Sequence, residues 1–303
     1  MDNFKFGTCE FCFPIWGSFA VETAKRAGFD ALQITDGGGY LQPHPKNNGF
    51  VEYERFGLDL RRKDSFPLTS PWVQDDYLEA AATCGIELSG NYLYLLDYQS
   101  FMKFSKNTPQ GEQCRETIKN AALAAAAMKI PSITVPMNGM FGVGQHAYAL
   151  ENMRYAAALG EEYGVQILMS TDTTLKRQLE VLDALGGKVK VDFCTIDPLF
   201  YATGNNAEML RMLGKEHLGQ VRLKDKLAND ENYTIKEEGR AALLGKGDAR
   251  IAACMKAVLE TGYQGCIVSE TPYYSTDITV NGEDFISLAK KDLATMKRLS
   301  TEE

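Results

Sequence analysis

The feature that most constrains this chain is an alternation. Short, nearly continuous apolar stretches recur along its 303 residues, and each is followed by a run with helical periodicity. A strand that is apolar at almost every position has both faces covered, as in a parallel sheet lying under helices. Strands are read at residues 4–11, 31–35, 86–95, 132–136, 165–171, 189–194, 218–223 and 266–269. Helices are read at 18–28, 71–84, 145–163, 173–185, 206–213, 248–261 and 283–299, with another opening at Thr108-Pro109 and ending before Pro131. The punctuation agrees. Ser18 and Ser70 are placed to cap helices, Pro71 suits a first turn, and Gly28 suits a helix stop.

Eight such units without an intervening linker predict an α/β chain folded as a single (β/α)8 TIM barrel spanning residues 1–303. The polar segment at 37–70 is too long for an ordinary connection. It is read as a functional loop, either a lid or an oligomer contact. In a parallel barrel the chemistry is expected at the carboxyl ends of the strands. From the sequence, those ends carry Glu10, Asp36, Tyr92 and Tyr94, Met137 and Asn138, Ser170 to Asp172, Cys194 to Asp197, Arg222 to Asp225, and Glu270. A mouth so rich in carboxylates and cations suits a small polyhydroxylated molecule.

Bulk properties remove other classes. A formal net charge of −8 with no basic block argues against nucleic acid. No apolar run has the roughly 18 residues of a membrane span, and the start lacks the layout of a signal peptide. Seven scattered cysteines fit buried thiols in a reducing cytoplasm better than a disulfide framework.

Several stretches resemble the sugar phosphate isomerase/epimerase superfamily of xylose isomerase-like barrels. That superfamily includes ketose epimerases, inosose dehydratase-like proteins and the large subunits of bacterial C-glycoside deglycosidases. Gly7-Thr8-Cys9-Glu10-Phe11-Cys12-Phe13-Pro14 resembles its opening strand. Cys194-Thr195-Ile196-Asp197-Pro198 resembles an Asp-Thr-x-Asn-Pro pattern, and Arg222-Leu223-Lys224-Asp225 resembles His-x-Lys-Asp. Leu244-Gly245-Lys246-Gly247, followed by the run from Gly262 to Glu270, resembles the closing stretch. The resemblance implies a divalent metal held by Glu, Asp, His and Glu at the ends of strands five to eight. It also implies proton transfer beside a carbonyl.

Carried over residue by residue, those four positions fall on Ser170, Cys194, Arg222 and Glu270, with Asp192 two residues before Cys194 on the same side of its strand. Arginine has no lone pair to give a metal, serine is a poor ligand, and cysteine is soft. No cofactor is therefore expected, and a divalent metal is the lesser alternative. Arg222 would instead place a fixed positive charge at the vacated position and keep Glu270 ionised.

The catalytic candidates are Glu270, His146, Arg222 and Lys224. Glu270 or His146 would be the base, and Arg222 or Lys224 would stabilise an enolate. Candidates for substrate contact are Glu10, Trp16, Asp36, Tyr92, Ser170, Asp172 and Cys194. Gly245 and Gly247 would let backbone N–H groups approach a ligand, or would simply form a loop before a helix. Gly142-x-Gly144-x-x-Ala147 only weakly matches a dinucleotide fingerprint, and Cys9-x-x-Cys12 lacks a second pair. Two functions stay open. One is an isomerase/epimerase-like enzyme on a sugar or keto-sugar derivative. The other is a non-catalytic ligand-binding or partner subunit, in a homo-oligomer or in a hetero-complex with a related subunit.

Overall fold

The computed structural model describes residues 4–15, 17–36, 66–94, 96, 101–140, 146–196, 205–227, 240–279 and 281–301. Eight parallel strands close on themselves. They are β1 (Lys5–Cys9), β2 (Ala31–Thr35), β3 (Glu87–Tyr92), β4 (Ser132–Pro136), β5 (Gln166–Ser170), β6 (Val189–Cys194), β7 (Leu218–Leu223) and, numbered in chain order, β10 (Cys266–Ser269). β1 pairs with β10 through Phe6–Ile267 and Gly7–Val268, and with β2 through Gly7–Ala31, which completes the (β/α)8 barrel. Most of the loop read at 37–70 lies outside the described residues. Its end is described, and Pro67–Thr69 forms a single 3-10 turn.

Among the described residues eight helices accompany the barrel: α1 (Ser18–Ala27), α2 (Pro71–Cys84), α3 (Pro109–Met128), α4 (His146–Tyr163), α5 (Leu175–Ala184), α6 (Asn206–His217), α7 (Ile251–Glu260) and α8 (Phe285–Leu299). Most residues on their buried faces are small or aliphatic. On α3 the buried stripe includes Ile118, Ala121, Ala122 and Ala125, so the helix can lie close to the strands. Thr108 caps α3 by accepting from Gly111 N, and Asp284 caps α8 by accepting from Ile286 N and Ser287 N. No helix among the described residues is long and apolar enough to cross a membrane. All seven cysteines are free thiols.

Two local expectations are corrected. The cap of α1 is Gly17, at φ 62 and ψ −143, and Ser18 is the first helical residue. That backbone region is open essentially to glycine alone. Gly17 N is drawn there by the buried Glu10 carboxylate, to which it donates at 2.9 Å. The polar stretch after β7 also contains a short antiparallel pair, β8 (Asp225–Leu227) with β9 (Arg240–Ala242), where only a loop was expected.

Asp225 anchors the turn between that pair and α7. Its carboxylate accepts from the backbone N–H groups of Lys226, Gly245, Gly247 and Ala249 at 2.9–3.0 Å. The Gly245 and Gly247 amides are therefore committed to Asp225 and do not face a ligand. A Cβ at Gly247 would sit 2.4 Å from both Asp225 Oδ1 and Lys226 O, so the wrap needs glycine there. From the other side, Asp292 on α8 accepts from Leu244 N at 2.9 Å. Replacing Asp225 by alanine would strand several backbone donors at once. We expect Asp225→Ala to cost about 3 kcal/mol, because hydrogen bonds to a charged acceptor are each worth roughly 1.5–3 kcal/mol. Denaturant titration of wild type and variant checks this, and unchanged midpoints would refute it.

Candidate functional site

The interior of the barrel is unusually polar near its carboxyl end. Inward-facing positions on consecutive strands carry Gln33, Tyr92, Thr134, Ser170, Asp192, Arg222 and Glu270, all buried. They lie in a buried interior, so each polar group has to find its partner across the barrel. Arg222 is the hub. Its Nε donates to Asp192 Oδ1 at 2.9 Å, its Nη1 to Glu270 Oε2 at 2.6 Å and its Nη2 to Ser170 Oγ at 2.5 Å. The guanidinium lies over the Tyr92 ring, 5.0 Å from its centroid. The side chain of Arg222 is only 4% exposed. Its three nitrogens therefore reach groups from β5, β6 and the end of β10.

Two features of the backbone permit this. The β6–β7 register shifts between Val191 and Asp192, so that Asp192 pairs with Gln220 and Cys194 with Arg222. Irregularities of this kind re-aim side chains near functional sites. Asp192 is then ringed by donors. Besides Arg222, Thr134 Oγ1 donates to Oδ2 at 2.7 Å, Gln220 Nε2 at 3.2 Å and Gln33 Nε2 at 3.4 Å. A buried carboxylate is tolerated only when its lone pairs are met in this way.

Glu270 is shared by two cations. Lys224 Nζ donates to Oε1 at 2.7 Å while Arg222 holds Oε2, and the Cys194 thiol donates to Oε2 at 3.6 Å. Burial pushes the Glu270 carboxyl upward, but Lys224 and Arg222 together outweigh it and hold the group at about 2. Burial alone would lower Lys224, yet the adjacent Glu270 carboxylate leaves it raised above its ordinary value. Arg222 is raised likewise, with Asp192 and then Glu270 overcoming the penalty of burial. Cys194 is driven up to about 12, by burial first and then by Glu270, so it is a thiol rather than a thiolate.

The structure also locates the other candidates from the sequence. Ser170 and Cys194 join the cluster, and Tyr92 lies under Arg222 and meets Phe11 and Tyr94 in tilted contacts at ring distances of 5.8 and 6.4 Å. Glu10 is turned into the body of the fold. It accepts from Gly17 N and Tyr77 Oη through Oε1, and from Thr35 N and Oγ1 through Oε2. Asp36 is buried at the end of β2. Asp172 accepts from Gly139 N at 2.9 Å, tying the turn after β4 to that after β5. His146 opens α4, and its side chain is outside the described part of the structure. Trp16 and Asp197 lie outside the described residues. Gln33, Thr134 and Gln220 were not singled out from sequence. Each is a buried polar residue within a largely apolar strand, and that was the available signal.

At the four positions implied for a metal the side chains bond one another, Arg222 with Ser170 and Glu270, and Cys194 with Glu270. Arg222 lies among them and cannot ligate, Ser170 already accepts from it, Cys194 is protonated, and Glu270 is committed to two cations. Among the described residues no three His, Cys, Asp or Glu side chains converge as metal ligands would.

Comparison with known proteins places this geometry. A family model described as a xylose isomerase-like TIM barrel matches residues 21–299. No curated protein matches the sequence. A xylose isomerase domain protein from Planctomyces limnophilus superposes with a TM-score of 0.65 at 17% identity, covering 93% of this chain and 90% of that one. D-allulose 3-epimerase from Methylomonas sp., solved in complex with D-allulose, superposes with a TM-score of 0.67 at 15% identity, covering 98% of each chain. The IolI protein, solved with a binding zinc atom, gives a TM-score of 0.69 at 14% identity, again over 98% of each. At these identities the likeness to the solved structures is one of fold.

The lowered pKa of Glu270 makes a signed prediction. Its folded-state value lies below the ordinary 4.5, so its ion pairs stabilise the protein above pH 4.5 and that contribution is lost as pH falls toward 2. Unfolding midpoints measured across this window should fall less steeply for Glu270→Gln than for wild type. Parallel slopes would show that the carboxylate is not held by these cations.

Proposed function

Because the chain belongs to the xylose isomerase-like TIM-barrel family, we propose that it binds a sugar or keto-sugar derivative at the carboxyl end of its barrel. There it transfers a proton beside the carbonyl, with Arg222 supplying the positive charge in place of a divalent metal. The observation that carries this reading is the guanidinium of Arg222, buried among Asp192, Ser170 and Glu270. A fixed cation in a dry site stabilises negative charge without having to reorganise.

Glu270 is the proposed base. With both oxygens ion-paired and a pKa of about 2, it is a weak base in the free protein. Lys224 is the more exposed of its partners, with 23% of the side chain open against 4% for Arg222. A ligand carbonyl oxygen is the natural competitor for the Lys224 ammonium. Drawing Lys224 away frees Glu270 Oε1 to take the α-proton and leaves the ammonium on the developing enolate oxygen. The proton then returns to the carbon from Glu270, so charge and protons balance. Tyr92, with the tilted rings of Phe11 and Tyr94 beside it, gives this end of the barrel an aromatic side for the apolar face of a sugar.

The same two ion pairs favour a second reading, a non-catalytic barrel that binds a ligand or partner subunit. A carboxylate locked by two cations is a stable arrangement without any chemistry. The readings separate on proton exchange. Incubated with ketohexoses in deuterium oxide and followed by proton NMR, the enzyme should place deuterium beside the carbonyl. A chelator should leave that rate unchanged, and Glu270→Gln should lower it by about a hundredfold or more. Ligand binding without exchange would leave the second reading standing, and one tightly held divalent ion per chain would overturn the metal-free site.

A further inference from the structure

The opposite end of the barrel holds a cavity of about 500 Å³. Its lining begins at the first residues of the strands: Lys5 of β1, Glu87 of β3, Ser132 of β4 and Gln166 of β5, with Lys190 near the start of β6. It is thus at the amino-terminal mouth, away from Arg222 and Glu270. This is the volume of an ordinary small-molecule pocket.

Its charge is opposite to that of the whole molecule. The chain carries −8 overall, yet this cavity is lined by Lys5, Lys190 and Lys215 against a single carboxylate, Glu87. Lys5 pairs with Glu87. Lys190, half-buried on an inward position of β6, and Lys215, at the end of α6, have no carboxylate partner among the described residues. The Ser89 side chain also lines the cavity, and among the described residues its buried hydroxyl meets no oxygen or nitrogen partner, only the weakly bonding Cys266 thiol. An unmet buried hydroxyl implies a missing partner in the space beside it. Gln220 lines the same cavity and donates to Asp192, so the cavity ends one side chain below the charged cluster.

We propose that this cavity is a second ligand site, for a small organic phosphate. Two unpaired lysines match a phosphate, which carries roughly −1.5 to −2 near neutral pH. Lysine binds such a group as a point charge, and the Ser89 hydroxyl adds a directional donor. The space exceeds what an inorganic ion fills, and Leu168, Leu218 and Tyr263 supply an apolar wall for the remainder of the molecule. This site stands independently of the reading given to the carboxyl end.

Titration calorimetry with inorganic phosphate and with glycerol phosphate, at matched ionic strength, tests it. Both should bind to wild type, glycerol phosphate more tightly. Lys190→Met and Lys215→Met should each weaken binding by about tenfold. Lys215 is exposed, so its variant decides the matter should Lys190→Met fold poorly. Absence of binding to wild type, or equal affinity in the Lys215→Met variant, overturns the proposal. So does loss of phosphate binding in Lys224→Met with both other variants unaffected, which would move the anion to the carboxyl end.

Discussion

The structure around the barrel axis depends on one buried cation. Arg222 joins Asp192, Glu270 and Ser170, which come from three strands or strand ends and would otherwise present uncompensated polar groups to a low-dielectric interior. Removing one member of such a set leaves the others charged and unpaired, at a cost of about 3–5 kcal/mol. The arrangement also explains why Asp192 needs Thr134, Gln220 and Gln33 about it. A carboxylate facing one guanidinium nitrogen still has lone pairs to satisfy.

The same cation fixes the electrostatics of the site. A divalent metal binds a ligand through open coordination positions, whereas a guanidinium offers only N–H donors in a plane. Its charge cannot be titrated away, so Glu270 stays ionised across any ordinary pH. The site holds a permanent positive charge, and its carboxylate is kept weakly basic by Arg222 and Lys224 together. Lys224 is the more accessible of the two cations, with 23% of its side chain exposed against 4% for Arg222.

The carboxyl end and the amino end of the barrel are built on contrasting logic. At the carboxyl end cations and carboxylates satisfy each other in a closed network. At the amino end two lysines with no carboxylate partner among the described residues and a buried serine hydroxyl line a cavity. Gln220 borders both, with its backbone in β7 and its amide on Asp192.

Much of the fold was legible in the sequence. The strands 31–35, 132–136, 189–194, 218–223 and 266–269 end where they were read, because continuous apolar runs between turn residues admit no other placement in a parallel barrel. The first strand is shorter than its apolar pattern, since Glu10 leaves it to accept from Gly17 and Thr35 and the chain winds into a turn at Glu10–Cys12. The β8–β9 pair was illegible, as strands of three residues carry too little periodicity. In the candidate site, chemistry alone settled that Arg222 cannot hold a metal, because the absence of a lone pair is a property of the side chain. Which groups its nitrogens meet was decided only in three dimensions. Asp192, Ser170 and Glu270 are 30, 52 and 48 residues away in sequence, and strand register and barrel closure bring them together.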